Sequence, residues 1–143
     1  MSEELKRRTK QFALDVISLC ADLPRELETR HAIGQVIRSS SSVAANYRSA
    51  CRGKSKPDFI SKLGTVEEEA DESGFWLEML RDIFELQTSR SELRTPVRAL
   101  RADVRHLKID VRTSNELLRL LDEANQLVAI TVASRKTARG NND

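Results

Sequence analysis

The chain has 143 residues, which is the size of a single domain. Charged residues make up 32% and aromatic residues 4%, with only five glycines and three prolines, and this composition favours an all-α protein. The charged start of the chain, followed by Asp15 and Asp22, excludes a signal-peptide core, and no run approaches the ~18–20 apolar residues of a membrane span. Cys20 and Cys51 form no paired motif, so we expect reduced, buried thiols in a cytoplasmic protein.

Two N-terminal helices are predicted from apolar periodicity. The first covers roughly residues 3–22 and the second runs from about 30 to 52. The serines at 39–42 lie inside the second helix, because Ile37 and Val43 maintain its apolar period across them, whereas a flexible linker would lose that register and usually contain glycine. A second side of this helix carries small residues, which predict either solvent-exposed surface positions or an interface with a second subunit. These residues are Ser42, Ala45 and Ser49.

The third helix has the clearest periodicity. It restarts after Gly53, with Ser55 as a candidate N-cap and Pro57 in the first turn. Its apolar positions alternate steps of four and three from Phe59 to Phe84, which is typical of a bundle helix. The outer face is acidic, which predicts either a solvated face or a docking face for the basic second helix of a neighbour: Glu67, Glu68, Glu69, Asp71 and Glu72.

The C-terminal part of the chain predicts a loop and two more helical segments. Residues 87–95 predict the loop, and the pair Thr95-Pro96 can start a basic helix that extends to about residue 111. A capping box formed by Thr113 and Glu116 predicts the start of the final helix, which frays near residue 140.

Basic side chains concentrate in two groups. Residues 31–62 carry six basic side chains and one acidic side chain, and residues 94–112 carry six basic and two acidic side chains. Residues 63–93, between them, carry two basic and nine acidic side chains. Both basic groups can bind phosphates without reading bases; a solubilising face is the alternative, as is a membrane-surface helix for the second group. The candidate contacts are Arg48, Arg52, Lys54 and Lys56 in the first group, and Arg94, Arg98, Arg101, Arg105, Lys108 and Arg112 in the second.

Catalytic signatures do not stand out in the sequence. It has no glycine-rich phosphate loop, no nucleophile elbow and no His-Glu-x-x-His pair, so we expect no enzymatic activity, no cofactor and no metal. The pair Glu28 and His31 has the i, i+3 spacing of di-iron bundles, and Asp103 and His106 echo it. The first pair lies near a predicted helix start, which makes a metal enzyme the weakest of the hypotheses.

Two segments resemble a known family: RSSSSVAANYRSACRGKSKPDFISKLGTVEEEADESGFWLEML at residues 38–80 and DEANQLVAITVASRKTAR at residues 122–139. They are similar to bacterial four-helix-bundle proteins encoded in intervening sequences of large-subunit ribosomal RNA genes. The resemblance covers roughly residues 12–84 and 113–139. It implies an antiparallel up-and-down four-helix bundle, a ring-shaped homopentamer and no settled enzymatic activity.

A related group, the accessory variability proteins of diversity-generating retroelements, comprises basic pentamers that bind nucleic acid and a reverse transcriptase. By analogy this group also points to Arg48, Arg52, Lys54 and Lys56 as candidate contacts. Residues from about 85 to 112 have no counterpart in the family pattern, and form either an added helix on the bundle or an extension of the third and fourth helices. We therefore predict that residues 1–143 form a single domain. We also predict that the protein is an oligomer that binds the backbone of RNA or DNA; the alternative is a scaffold that binds only proteins.

Overall fold

A computed structural model describes residues 2–93 and 109–140, with side chains described for residues 3–89 and 109–140. The helices in these residues are α1 (Ser2–Ala21), α2 (Leu27–Ala50), α3 (Lys56–Leu93) and α4 (Val111–Gly140). Each helix packs against the next along the chain, and α1 also packs against α4. The predicted all-α four-helix bundle is therefore confirmed.

All four helices contribute to one hydrophobic core. The apolar positions recur three and four residues apart, so each helix turns one stripe inward. The side chains with the least exposure include Phe12 and Val16 of α1, Val36 and Val43 of α2, Leu63, Leu77 and Leu80 of α3, and Leu117, Leu120 and Leu127 of α4.

The serine-rich segment is a packed part of α2, as predicted. Ser39 and Ser40 are fully buried within the helix. The hydroxyl oxygen of Ser39 lies 3.0 Å from that of Ser73, which is also fully buried on α3. Because both side chains are small, the two backbones approach closely at this level of the bundle.

The start of α2 differs from the sequence prediction by a few residues. It begins at Leu27 rather than near residue 30, because the backbone N–H of Glu26 donates to the Thr29 hydroxyl at 3.2 Å and so closes the N-terminal turn.

The last helix also begins earlier than predicted. It starts at Val111, and the carboxylate of Asp110 accepts the backbone N–H of Thr113 at 2.7 Å. The capping residue is thus Asp110, and the capping box predicted from Thr113 and Glu116 is wrong.

The loop predicted at residues 87–95 is wrong over 87–93, where α3 continues without interruption to Leu93. This stretch contains no glycine or proline, and the Thr88 hydroxyl bonds the carbonyl of Phe84 at 3.0 Å, an arrangement compatible with a helix interior. The described ends of the segment 85–112 therefore extend α3 and α4. The basic helix predicted near 95–111 falls mostly on residues 94–108, outside the described part of the chain.

Across residues 2–93 and 109–140, no helix has the combination of length and hydropathy needed to cross a lipid bilayer.

Candidate nucleic-acid interface

The turn between α2 and α3 is held by backbone hydrogen bonds. Gly53 donates its N–H to the Ala50 carbonyl at 2.8 Å, and a Cβ at this position would lie 3.0 Å from the same oxygen. The Asp58 carboxylate accepts the Lys54 N–H at 2.9 Å, while the Asp58 N–H donates to the Ser55 hydroxyl at 3.2 Å. The turn is therefore a fixed frame that presents the basic side chains around it.

Three of the four cations predicted at this turn are available for a ligand. Arg48, Arg52 and Lys54 are exposed, and none forms an ion pair within the described side chains. Lys56 is half-buried and does have an interaction partner. The only carboxylate in the turn, Asp58, pairs with Lys62 at 2.8 Å, and that hydrogen bond lowers its pKa. The turn therefore keeps a positive charge.

Helix α1 also contributes a cation at this end of the bundle, Lys6, which was not predicted from the sequence and which forms an ion pair with Glu3 at 2.5 Å. Lys6 lines a shallow open cavity of about 470 Å³ together with Tyr47, Cys51, Lys56 and Phe59. Burial and the neighbouring Cys51 raise the pKa of Tyr47 to about 12, so its hydroxyl stays neutral.

Two further cations come from the C-terminus of α4. This helix is antiparallel to α3, since Ala124 lies beside Gly74 and Arg135 lies beside Gly64. Residues after Arg135 therefore lie level with the first turns of α3, and both cations there are exposed: Lys136 and Arg139. We call the whole group the basic end; it consists of Lys6, Arg48, Arg52, Lys54, Lys56, Lys136 and Arg139.

The one described member of the second predicted group, Arg112, lies far from the basic end. Arg112 is exposed in the first turn of α4. It is separated from Lys136 by 24 residues of the same helix, or about 36 Å at ~1.5 Å per residue. The other members lie outside the described residues: Arg94, Arg98, Arg101, Arg105 and Lys108.

The predicted acidic face of α3 is mostly neutralised within the chain. Arg38 of α2 pairs with both Glu69 and Glu72, and the Glu72 bond lowers the pKa of that carboxyl. Arg135 of α4 pairs with Glu67. Exposed acids without such a partner are Glu68 and Asp71.

The predicted interface residues on α2 occupy mixed positions. Ala45 is exposed, while Ser42 and Ser49 are half-buried. Their role in association stays a prediction.

The geometry gives the metal hypothesis no support. Glu28 and His31 are both exposed, and the His31 ring packs edge-on against Trp76 at 5.2 Å between ring centres. No cluster of three or more metal-ligating side chains occurs among the described residues. Asp103 and His106 lie outside them.

Both cysteines are free thiols, but only one is buried as predicted. Cys20 lies in the core, where burial raises its pKa to about 12. Cys51 is only half-buried and borders the cavity at the basic end.

Comparisons with known proteins agree with this architecture. The chain is similar to a crystal structure of a protein with unknown function from the S23 ribosomal protein family of Bacteroides thetaiotaomicron VPI-5482, with a TM-score of 0.63 and 24% sequence identity over 92% of this chain and 97% of that one. At this identity the likeness concerns the fold. No curated protein matches the chain. The family model for the 23S rRNA-intervening sequence protein matches residues 3–100, so the chain belongs to the 23S rRNA-intervening sequence protein family.

Proposed function

We propose that this protein is a non-enzymatic, oligomeric helical bundle whose basic end binds the phosphate backbone of RNA or DNA. One observation carries the proposal: four helices and the turn between α2 and α3 bring seven cations to one end of the bundle, and the side chains of Arg48, Arg52 and Lys54 among them form no ion pair within the described residues. Cations that meet phosphates release the counterions condensed on a nucleic acid, which favours binding regardless of sequence.

The side chains at the basic end favour backbone contact over base readout. The aromatic residues there are Tyr47, which is buried, and Phe59, which is half-buried. Neither offers an exposed ring on which a base can stack, and stacking is the usual means of holding single-stranded bases. Arg and Lys contacts to phosphate fix position without carrying sequence information.

Self-association forms part of the proposal, with a pentamer as the expected assembly. The resemblance to the family supports it, and so do the exposed apolar side chains on α1 and α3. An assembly that presents several basic ends can bind one nucleic acid at more than one point, which raises its apparent affinity. A cytoplasmic location is also proposed, since both cysteines are free thiols.

The alternative is a protein-interaction scaffold or accessory subunit without nucleic-acid binding. One version holds subunits together by docking the acids of α3 on the basic α2 of a neighbour. Intramolecular pairing of Arg38 with Glu69 and Glu72 argues against that version, because it already uses charges from both helices. Binding of a protein partner through other surfaces is the competing hypothesis in the experiment below.

Fluorescence anisotropy with labelled single-stranded RNA over a salt series tests the proposal. The variant Arg52→Glu/Lys54→Glu removes two cations from the basic end. Its matched control, Arg25→Glu/Arg30→Glu, makes the same charge change on exposed residues at the opposite end. If Arg52 and Lys54 each contact a phosphate, the test variant lowers the slope of log K against log salt by about 1.4, at ~0.7 per single-strand contact.

The control variant is expected to retain most of the wild-type affinity and the full slope. Absence of RNA binding by the wild-type protein at low salt, or binding with no salt dependence, overturns the proposal and favours the scaffold. Equal losses in the two variants show that net charge, rather than the basic end, is responsible, and so also contradict the proposed site.

A further inference from the structure

The outward face of α3 carries a strip of exposed apolar side chains. Phe75 is 51% exposed, Met79 37% and Leu86 61%. They lie at i, i+4 and i+11, which places them on one side of the helix, opposite the buried Leu77 and Leu80. Large apolar side chains grouped on one helix face, rather than scattered singly, are typical of an interaction surface.

A row of acids runs along one edge of this apolar strip. Asp71, Glu78 and Glu85 recur every seven residues, so they share one side of α3. All three are exposed and none forms an ion pair within the described side chains; Arg81, which pairs with Asp82, interacts with Glu78 and Glu85 only at longer range. We call the combination the α3 patch: the strip Phe75, Met79 and Leu86 with the row Asp71, Glu78 and Glu85. Its negative charge disfavours a nucleic acid and favours a partner that combines apolar and cationic groups.

Helix α1 has an outward surface of that complementary kind. Leu14 is 49% exposed and Ile17 43%. Lys10 and Arg7 lie one and two turns before Leu14 on the same side of α1, at spacings of four and seven residues. Both are exposed and form no ion pair within the described side chains. We call these four residues the α1 patch.

The two patches face away from each other on one chain. Both α1 and α3 pack against α2 and α4, so α1 and α3 occupy diagonal corners of the bundle. Their outward surfaces therefore point to opposite sides, and a chain cannot bring its own patches together. The α1 patch is short enough to lie within the length of the α3 patch, since residues 7–17 span about 15 Å and residues 71–86 about 23 Å at ~1.5 Å per residue.

We infer that the α1 patch of one copy docks on the α3 patch of the next copy, with Leu14 and Ile17 against the apolar strip and Arg7 and Lys10 against the acidic row. This inference rests on the proposed self-association and names the surfaces that perform it. Such a contact joins two different surfaces, so it propagates from copy to copy and closes into a ring when the rotation between copies allows. It differs from the interface predicted at Ser42, Ala45 and Ser49.

Charge reversal and its rescue test this pairing directly. One variant reverses the α1 patch, Arg7→Glu/Lys10→Glu, and a second reverses the α3 patch, Glu78→Lys/Glu85→Lys. A third chain carries all four substitutions and so restores opposite charges across the contact. Sedimentation velocity measures the mass of each chain against the 16.2 kDa monomer, and circular dichroism confirms that each variant remains helical.

We expect each single-patch variant to associate at least about tenfold more weakly than the wild type, because like charges then face each other across the contact. The four-substitution chain is expected to recover most of the wild-type assembly. The control Arg25→Glu/Arg30→Glu, which alters neither patch, is expected to assemble normally.

The contrary outcomes separate this inference from the proposals that precede it. A wild-type chain that stays monomeric at every concentration overturns the self-association proposal and this inference together. A wild-type oligomer that neither reversal weakens overturns only the α1–α3 contact, as does a failure of the four-substitution chain to recover. RNA binding by the basic end is measured independently, and none of these outcomes decides it.

Discussion

Replacement of two serines from the same run distinguishes a packed α2 from a flexible segment. Ser39 is fully buried and its hydroxyl oxygen lies 3.0 Å from that of Ser73, so no space is available there for a larger side chain. Ser41 is exposed. The substitutions Ser39→Leu and Ser41→Leu therefore make the same chemical change in two different environments, only half a helical turn apart.

The expected effects follow from the packing. Overpacking a core costs about 1–3 kcal/mol, and loss of the hydroxyl contact adds about 0.5–1.5 kcal/mol. The Ser73 hydroxyl keeps its bond to the Glu69 carbonyl at 2.8 Å, so it is not left without a partner. We expect Ser39→Leu to lower the free energy of unfolding by about 2–4 kcal/mol, or a fall in Tm of about 6–12 °C for a chain of this size.

The exposed position behaves differently. Ser41→Leu is expected to stay within about 0.5 kcal/mol of the wild type, because it alters no packed contact. Urea unfolding followed by far-ultraviolet circular dichroism, at one fixed protein concentration, compares the three chains. If the two variants have the same stability, the close packing of α2 on α3 is not as described and the reasoning is refuted.

Two further predictions concern the thiols and the interhelical ion pairs. Cys51 is half-buried while Cys20 is in the core with its pKa raised to about 12, so we expect a thiol reagent at neutral pH to label only Cys51 in the folded protein and both after denaturation; rapid labelling of the folded Cys51→Ser variant contradicts this. The Arg38 bond lowers the pKa of Glu72 from its usual 4.5, so the pair stabilises the fold above that pH and the stabilisation is lost as the pH falls through the lowered pKa. Because both side chains are partly exposed, we expect Glu72→Gln to cost less than about 1 kcal/mol near neutral pH and almost nothing in acid, as measured by urea unfolding over a pH series. If Glu72→Gln lowers the free energy of unfolding equally at neutral and at acid pH, this account of the Arg38–Glu72 pair is wrong.

Much of the fold could be predicted from the sequence because each helix carries its own evidence. The apolar period of three and four residues indicates which face turns inward, and it identified Val43 of α2 and, in the run from Phe59 to Phe84, Leu63 and Leu77 of α3 as core positions. The same period placed the four serines inside α2, against their loop-like composition.

Predictions based on local polarity or capping were less reliable. The segment 87–93 reads as a loop because it is polar, yet it continues α3, since a polar residue does not end a helix unless something interrupts the backbone. Asp110 rather than Thr113 supplies the cap of α4, since the choice between nearby capping residues depends on where the helix axis must start in order to pack.

Local sequence patterns were enough to predict the helices, their inward faces and the enrichment in basic residues around the α2–α3 turn. Which charges remain available for a ligand depends instead on how the helices pack against one another. This packing pairs Arg38 with Glu72 and Arg135 with Glu67, residues 34 and 68 positions apart, and brings Lys6, Lys136 and Arg139 to the same end as Arg52. This difference arises because the apolar period and helix capping depend on residues a few positions apart in one helix. Neutralisation of a charge and exposure of a surface patch depend on which helices lie side by side.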